Sequence, residues 1–106
     1  MVCIDDFKKL ELKVVRIKDA KNHPNADKLY LLTLETGEGE RQVVAGIRNF
    51  YTPEELIGKK VVAITNMQAA VIRGSESQGM VLAASDGTVL TLLAPEKDIP
   101  VGTKIS

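Results

Sequence analysis

The chain has 106 residues, 44% hydrophobic and 26% charged, with 14 Lys and Arg balanced by 14 Asp and Glu. That is one domain's worth of an ordinary globular composition, and no apolar run approaches the ~20 residues a membrane-spanning helix requires. One cysteine, Cys3, and one histidine, His23, leave no internal disulfide and no tetrahedral zinc site to build, so neither a metal nor a cofactor is expected.

The N-terminal residues lack the basic stretch, apolar core and small-residue cleavage site of a secretory signal, which predicts a cytoplasmic protein. Asp5, Asp6 and Phe7 read as a short turn. Leu10, Leu12 and Val14 then alternate with charged residues, and Val15 and Ile17 take up the opposite phase. One extra residue in a period-2 pattern predicts a first strand with a β-bulge near Val14 and Val15. The run Asn22-His23-Pro24-Asn25-Ala26-Asp27 is loop chemistry and makes the first connection.

Leu29 to Thr36 and Arg41 to Ala45 read as second and third strands, joined by Gly37-Glu38-Gly39 with the glycines a hairpin needs for positive φ. Thr52-Pro53-Glu54-Glu55 carries an N-cap, a proline at the first helical position and a capping-box glutamate, and Gly58 is placed to end that helix. Lys59 to Asn66 is a fourth strand and Gly79 to Ala84 a fifth. The turn Ser85-Asp86-Gly87 leads to a sixth, Val89 to Ala94. Strands with a lone helix between the third and fourth are the order of an OB barrel, whose ligands lie across strands 2 and 3 and the flanking loops. The expected fold is therefore all-β: a single domain over residues 1–106, a five-stranded OB-fold barrel with a short helix between strands 3 and 4 and a C-terminal β extension over 88–106.

A net charge of zero is unusual for a nucleic-acid binder, since phosphate binding draws on cationic excess. The charge is uneven, however. Between Lys8 and Lys28 there are seven cations and three acids, a local +4. Lys28, Arg41 and Arg73 fall in or beside the expected ligand face, where long cations suit phosphates. His23 has no nucleophile or acid partner, so it reads as a loop-packing residue and no catalytic residue is expected.

The loop His23-Pro24-Asn25-Ala26-Asp27-Lys28-Leu29, the runs Val43-Val44-Ala45-Gly46-Ile47 and Phe50-Tyr51-Thr52-Pro53-Glu54-Glu55-Leu56-Ile57-Gly58-Lys59-Lys60, and the segment Ser77-Gln78-Gly79-Met80 occur in order along the chain. In these residues, from about Asp6 to Ser106, the sequence resembles the tRNA-binding domain family. That family includes the C-terminal domain of bacterial methionyl-tRNA synthetase, free-standing tRNA-binding homodimers and endothelial monocyte-activating polypeptide II. The resemblance implies an OB fold that recognises the tRNA body by shape. It carries over Ser77, Gln78 and Met80 as tRNA contacts, with Asn66 at a polar family position and Asn25 within the loop motif. It implies tRNA and a second copy of the chain as partners, with methionyl-tRNA synthetase a further candidate, and gives no reason to expect DNA. The apolar residues Val89, Leu90, Leu92, Leu93, Ile99, Val101 and Ile105 would pair the two copies or cap their own barrel.

The chain departs from the family after the fourth strand. Typical members read close to Asn-Leu-Lys-Pro-Arg-Lys there, whereas this chain reads Asn66-Met67-Gln68-Ala69-Ala70-Val71. Three cations and a proline are missing, which predicts two or three fewer phosphate contacts on one wall of the groove. Two functions follow as alternatives: a tRNA-binding accessory to translation, or a protein- or peptide-binding module like the export-related chaperones of the same superfamily. Asp27-Lys28-Leu29 matches the tRNA binders.

Overall fold

The computed structural model describes all residues from 1 to 106. Helix α1 (Ile4–Lys8) precedes a long strand β1 (Leu12–Asn22), followed by β2 (Tyr30–Glu35), β3 (Glu40–Ala45), helix α2 (Pro53–Leu56) and β4 (Lys60–Ile64). Five short strands complete the chain: β5 (Ala70–Ile72), β6 (Ser75–Ser77), β7 (Met80–Val81), β8 (Ala83–Ser85) and β9 (Leu90–Leu92).

One antiparallel sheet runs in the order β3-β2-β1-β4-β7. It curls until its outer edges meet: Gln78 N–H donates to the Gln42 carbonyl at 2.8 Å, and the Ser77 hydroxyl accepts the Val44 N–H at 3.0 Å. The result is a nearly closed five-stranded OB-type barrel with the short helix α2 between β3 and β4. Inward-facing Val15, Ile17, Leu32, Leu34, Val43, Val61 and Ala63 fill it, and Leu56 of α2 adds a fully buried side chain. At roughly 1.5–3 kcal/mol for each large aliphatic side chain, this burial is the dominant favourable term in the fold. The α2 capping box forms as its sequence predicts: Thr52 Oγ1 accepts the Glu55 N–H, and the Glu55 carboxylate accepts the Thr52 N–H.

Three local expectations are corrected. Asp5, Asp6 and Phe7, read as a turn, lie in the short helix Ile4–Lys8, where the Asp6 carboxylate accepts the Cys3 N–H. The register of β1 against β4 is continuous from Leu12 to Arg16, and its irregularity lies against β2, between Ile17 and Asp19. Val14 and Val15 are both buried because this half of the strand is covered on both faces, with Leu12, Val14 and Ile64 buried outside the main cluster. Here the C-terminal segment runs along the edge of β1, with Val14 N–H donating to Thr103, Gly102 N–H to Val14 and Ile105 N–H to Leu12.

The third correction concerns Gly79 to Ala84, which is two strands. Leu82 donates to Val62 of β4 and accepts from Leu93, so the chain changes partner there and continues as β8 against β9. In the C-terminal extension Leu92 joins the chain's own core, whereas Val89 is 61% exposed and Leu93 41%.

Candidate nucleic-acid interface

The segment between β4 and β7, to which the sequence assigned no strand, folds into a hairpin of β5 and β6 with Ile72 opposite Ser75. Its two-residue turn is Arg73-Gly74, with φ of 53° and 90°. Positive φ at both central residues is the type I′ signature, which suits the twist of a hairpin and is usually supplied by Asn-Gly or Gly-Gly. Gln42 anchors the base of the hairpin, donating from its side chain to the Glu76 carbonyl at 2.9 Å.

Between this hairpin and β3 lies a groove lined by Val44, Met67, Gln68, Ala70, Ile72 and Met80, with Ser77 and Gly79 at its floor. The walls are mainly apolar. Met80 is 43% exposed, so its side chain faces the groove and is not core. Ser77 is buried and its hydroxyl proton goes to the Gly79 carbonyl at 3.1 Å, so it shapes the floor with one lone pair left over. Gln78 closes the barrel, its side-chain oxygen accepting the Gln42 N–H at 3.1 Å. A Cβ on Gly79 would meet the Ile64 carbonyl at 2.8 Å, which is why a glycine sits where β7 turns in beside β4.

The loop from His23 to Leu29 forms the adjoining wall. Asn25 donates from its side chain to the Arg73 carbonyl at 3.4 Å, and the Arg48 guanidinium reaches the Ala26 carbonyl at 3.5 Å. Arg48 N–H also donates to the Lys28 carbonyl at 3.4 Å. Lys28, Arg48 and Arg73 are thus carried by one end of the barrel, and none of them is in an ion pair. Arg48 is the one cation of this group that sequence reading missed. It sits past the end of the third strand, and only the fold brings it back to the loop.

Two candidates lie elsewhere. Asn66 spends its amide on the N-terminal segment: Oδ1 accepts the Glu11 N–H and Nδ2 donates to the Lys9 carbonyl, both at 2.8 Å. It pins that segment to the end of β4. Arg41 lies toward the Gly37-Glu38-Gly39 end of β3, in phase with buried Val43 and Ala45. Its charge reaches Glu11, whose carboxyl is held below its ordinary value of 4.5, first by the Thr65 hydroxyl, then by Lys13 and least by Arg41.

The basic stretch of the sequence is largely neutralised. Lys9 pairs with Asp6, Lys13 with Glu11 and Glu38, Lys18 with Glu40, and Lys21 with Asp19. Four of its seven cations are spoken for, which leaves Lys8, Arg16 and Lys28. The cationic end that remains is set by the fold and not by the linear run.

Comparison with known proteins agrees with this architecture. The methionine–tRNA ligase of Methanococcus aeolicus is 55% identical over 105 residues, which are 99% of this chain and 16% of that protein. A MetRS-related protein from Pyrococcus horikoshii superposes on the whole chain and 98% of its own, with TM-score 0.92 and 33% identity. The chaperone CsaA of Bacillus anthracis does so over 99% of its chain, with TM-score 0.90 and 33% identity. The family described as "Putative tRNA binding domain" matches residues 12–104, every strand from β1 to β9, and the chain belongs to that family.

Proposed function

We propose that this chain binds the folded body of transfer RNA as a non-catalytic accessory to translation, either free-standing or allied to a methionyl-tRNA synthetase. One observation carries the reading: in a molecule of zero net charge, Lys28, Arg48 and Arg73 gather without ion pairs at one end of the barrel, beside the β3/β5–β6 groove. Cations that have no carboxylate to leave are the ones that release counterions when a phosphate arrives. Met67, Ile72 and Met80 supply a soft apolar surface between them. Two copies joined through the β8–β9 hairpin would offer two such surfaces to the same RNA and gain by avidity.

The test is a mobility-shift series with folded tRNA and with an unstructured RNA of equal length, across salt. With three phosphate contacts at ~0.7–0.9 each, the logarithmic salt slope is about −2 to −3. A double variant, Gln68→Lys with Val71→Lys, steepens it by a similar increment for each cation that engages. Equal binding of the unstructured RNA overturns the reading. The apolar walls favour one second reading, an extended peptide in the groove, which predicts that an apolar peptide binds with little salt dependence and is not displaced by poly-anions.

A further inference from the structure

His23 is the most completely used polar side chain at the cationic end. It is 3% exposed, and both ring nitrogens are engaged. Nδ1 accepts the Asn25 N–H at 3.0 Å, so Nε2 carries the hydrogen and donates to the Ile72 carbonyl at 3.1 Å. The first bond lies within the loop. The second crosses 49 residues of chain to the far end of β5. Asn25 repeats the crossing one residue further on, at the Arg73 carbonyl.

The base of the β5–β6 hairpin is held by β3, through Gln42 and Glu76 and through Val44 and Ser77. Its far end, Ile72 to Ser75, is tied to the loop by the His23 and Asn25 bonds. A two-stranded hairpin of three residues a side is not stable by itself in water, so these bonds decide where its tip sits. That tip carries Arg73, and the loop carries Lys28 and contacts Arg48.

We infer that His23 is a positioning residue for RNA: its Nε2–Ile72 bond latches the β5–β6 hairpin to the loop and holds Arg73 at a fixed spacing from Lys28 and Arg48. The cationic end is then preorganised, and phosphates meet one rigid surface where they would otherwise have to order a mobile hairpin. The inference rests on the tRNA reading above.

Two substitutions separate the two bonds of the ring. His23→Asn keeps a short acceptor for the Asn25 N–H but has no group that reaches Ile72, whereas His23→Gln places an amide N–H near the position of Nε2. Hydrogen–deuterium exchange over residues 70–77 needs no RNA and reads the latch directly. In His23→Asn this segment exchanges about tenfold faster while the core strands keep their protection, and His23→Gln restores it. On tRNA, His23→Asn weakens binding about fivefold to tenfold and flattens the salt slope by about 0.7–0.9, one phosphate contact, and His23→Gln recovers most of both.

A purely structural role for His23 would change stability without changing the slope. Asn25→Ala, on an exposed residue, removes the second crossing alone and moves both readouts in the same direction by about twofold to threefold, so the inference stays testable if His23→Asn does not fold. Unchanged exchange over residues 70–77 in the folded variants overturns the latch. Faster exchange with unaltered affinity and slope overturns its role toward RNA. Failure of the unmodified protein to prefer tRNA overturns the functional reading, and the RNA role of His23 with it, while the exchange measurement still decides the latch.

Discussion

Arg73 occupies a backbone position that does not suit it. Its φ of 53° puts a long side chain in the left-handed region, where an L-residue other than glycine or asparagine is disfavoured by about 1–2 kcal/mol. Asparagine before Gly74 would fit the type I′ turn better. Strain kept at a residue that also carries an unpaired charge at the rim of a groove points to selection for the charge. Arg73→Asn is accordingly expected to stabilise the domain by about 0.5 to 1 kcal/mol, a rise of about 3 to 6 °C in Tm for a chain of this size. The same change is expected to weaken tRNA binding several-fold, with one fewer contact in the salt slope. Thermal melts together with a salt series check both halves, and a variant that gains stability with no loss of affinity would remove Arg73 from the interface.

What the sequence makes legible depends on how local the physics is at each element. The capping box of α2 and the glycine turn between β2 and β3 involve residues within a few positions of one another, and both appear in the structure as read. The β5–β6 hairpin escaped because its turn breaks the usual chemistry, with arginine where asparagine is the common signal. Arg48 escaped because its place beside Lys28 and Ala26 is a product of tertiary folding. Asn66 matches a family position in sequence, yet its amide is committed to backbone 55 and 57 residues away, a partnership invisible to any local pattern.

The β8–β9 hairpin poses a question at the same scale. Its strands pair only with each other, all three residues of β8 are exposed, and Val89 and Leu93 stand uncovered beside them. Leu92 seats the hairpin on the chain's own core, and it is the outer face that is left without cover. If a second copy supplies that cover, sedimentation equilibrium returns twice the 11.5 kDa chain mass, and Val89→Glu with Leu93→Glu returns the monomer with an unchanged far-ultraviolet spectrum. A monomer for the unmodified chain at tens of micromolar would leave the hairpin without this role.

At the scale of the whole molecule, charge does two separate jobs, and pH distinguishes them. The carboxyls of Asp6, Glu11, Glu55, Asp86 and Asp98 all lie below their ordinary values of 3.8 for Asp and 4.5 for Glu. The leading causes are hydrogen bonds: from Cys3 to Asp6, from Thr65 to Glu11, from the Thr52 N–H to Glu55, from the Val89 N–H to Asp86 and from Lys60 to Asp98. A carboxyl whose folded pKa is depressed contributes stability that is fully present above its unfolded value and is lost as pH falls through the folded one. Lys13 and Lys18 are raised above 10.5, chiefly by Glu38 and Glu40, and their contribution is present below that value and lost as pH rises through the folded one. These groups leave the melting temperature flat from about pH 5 to 10, and through them it falls below about pH 4.5 and again above about pH 10.5. A Tm that held constant down to pH 3 would contradict the assignment of these bonds. Across the flat region the exposed pairs are individually weak, and screening them with salt costs the fold little. A salt series at pH 7 should therefore leave the melting temperature nearly unchanged while it strips RNA from Lys28, Arg48 and Arg73, which lets the salt slope count phosphate contacts and not unfolding.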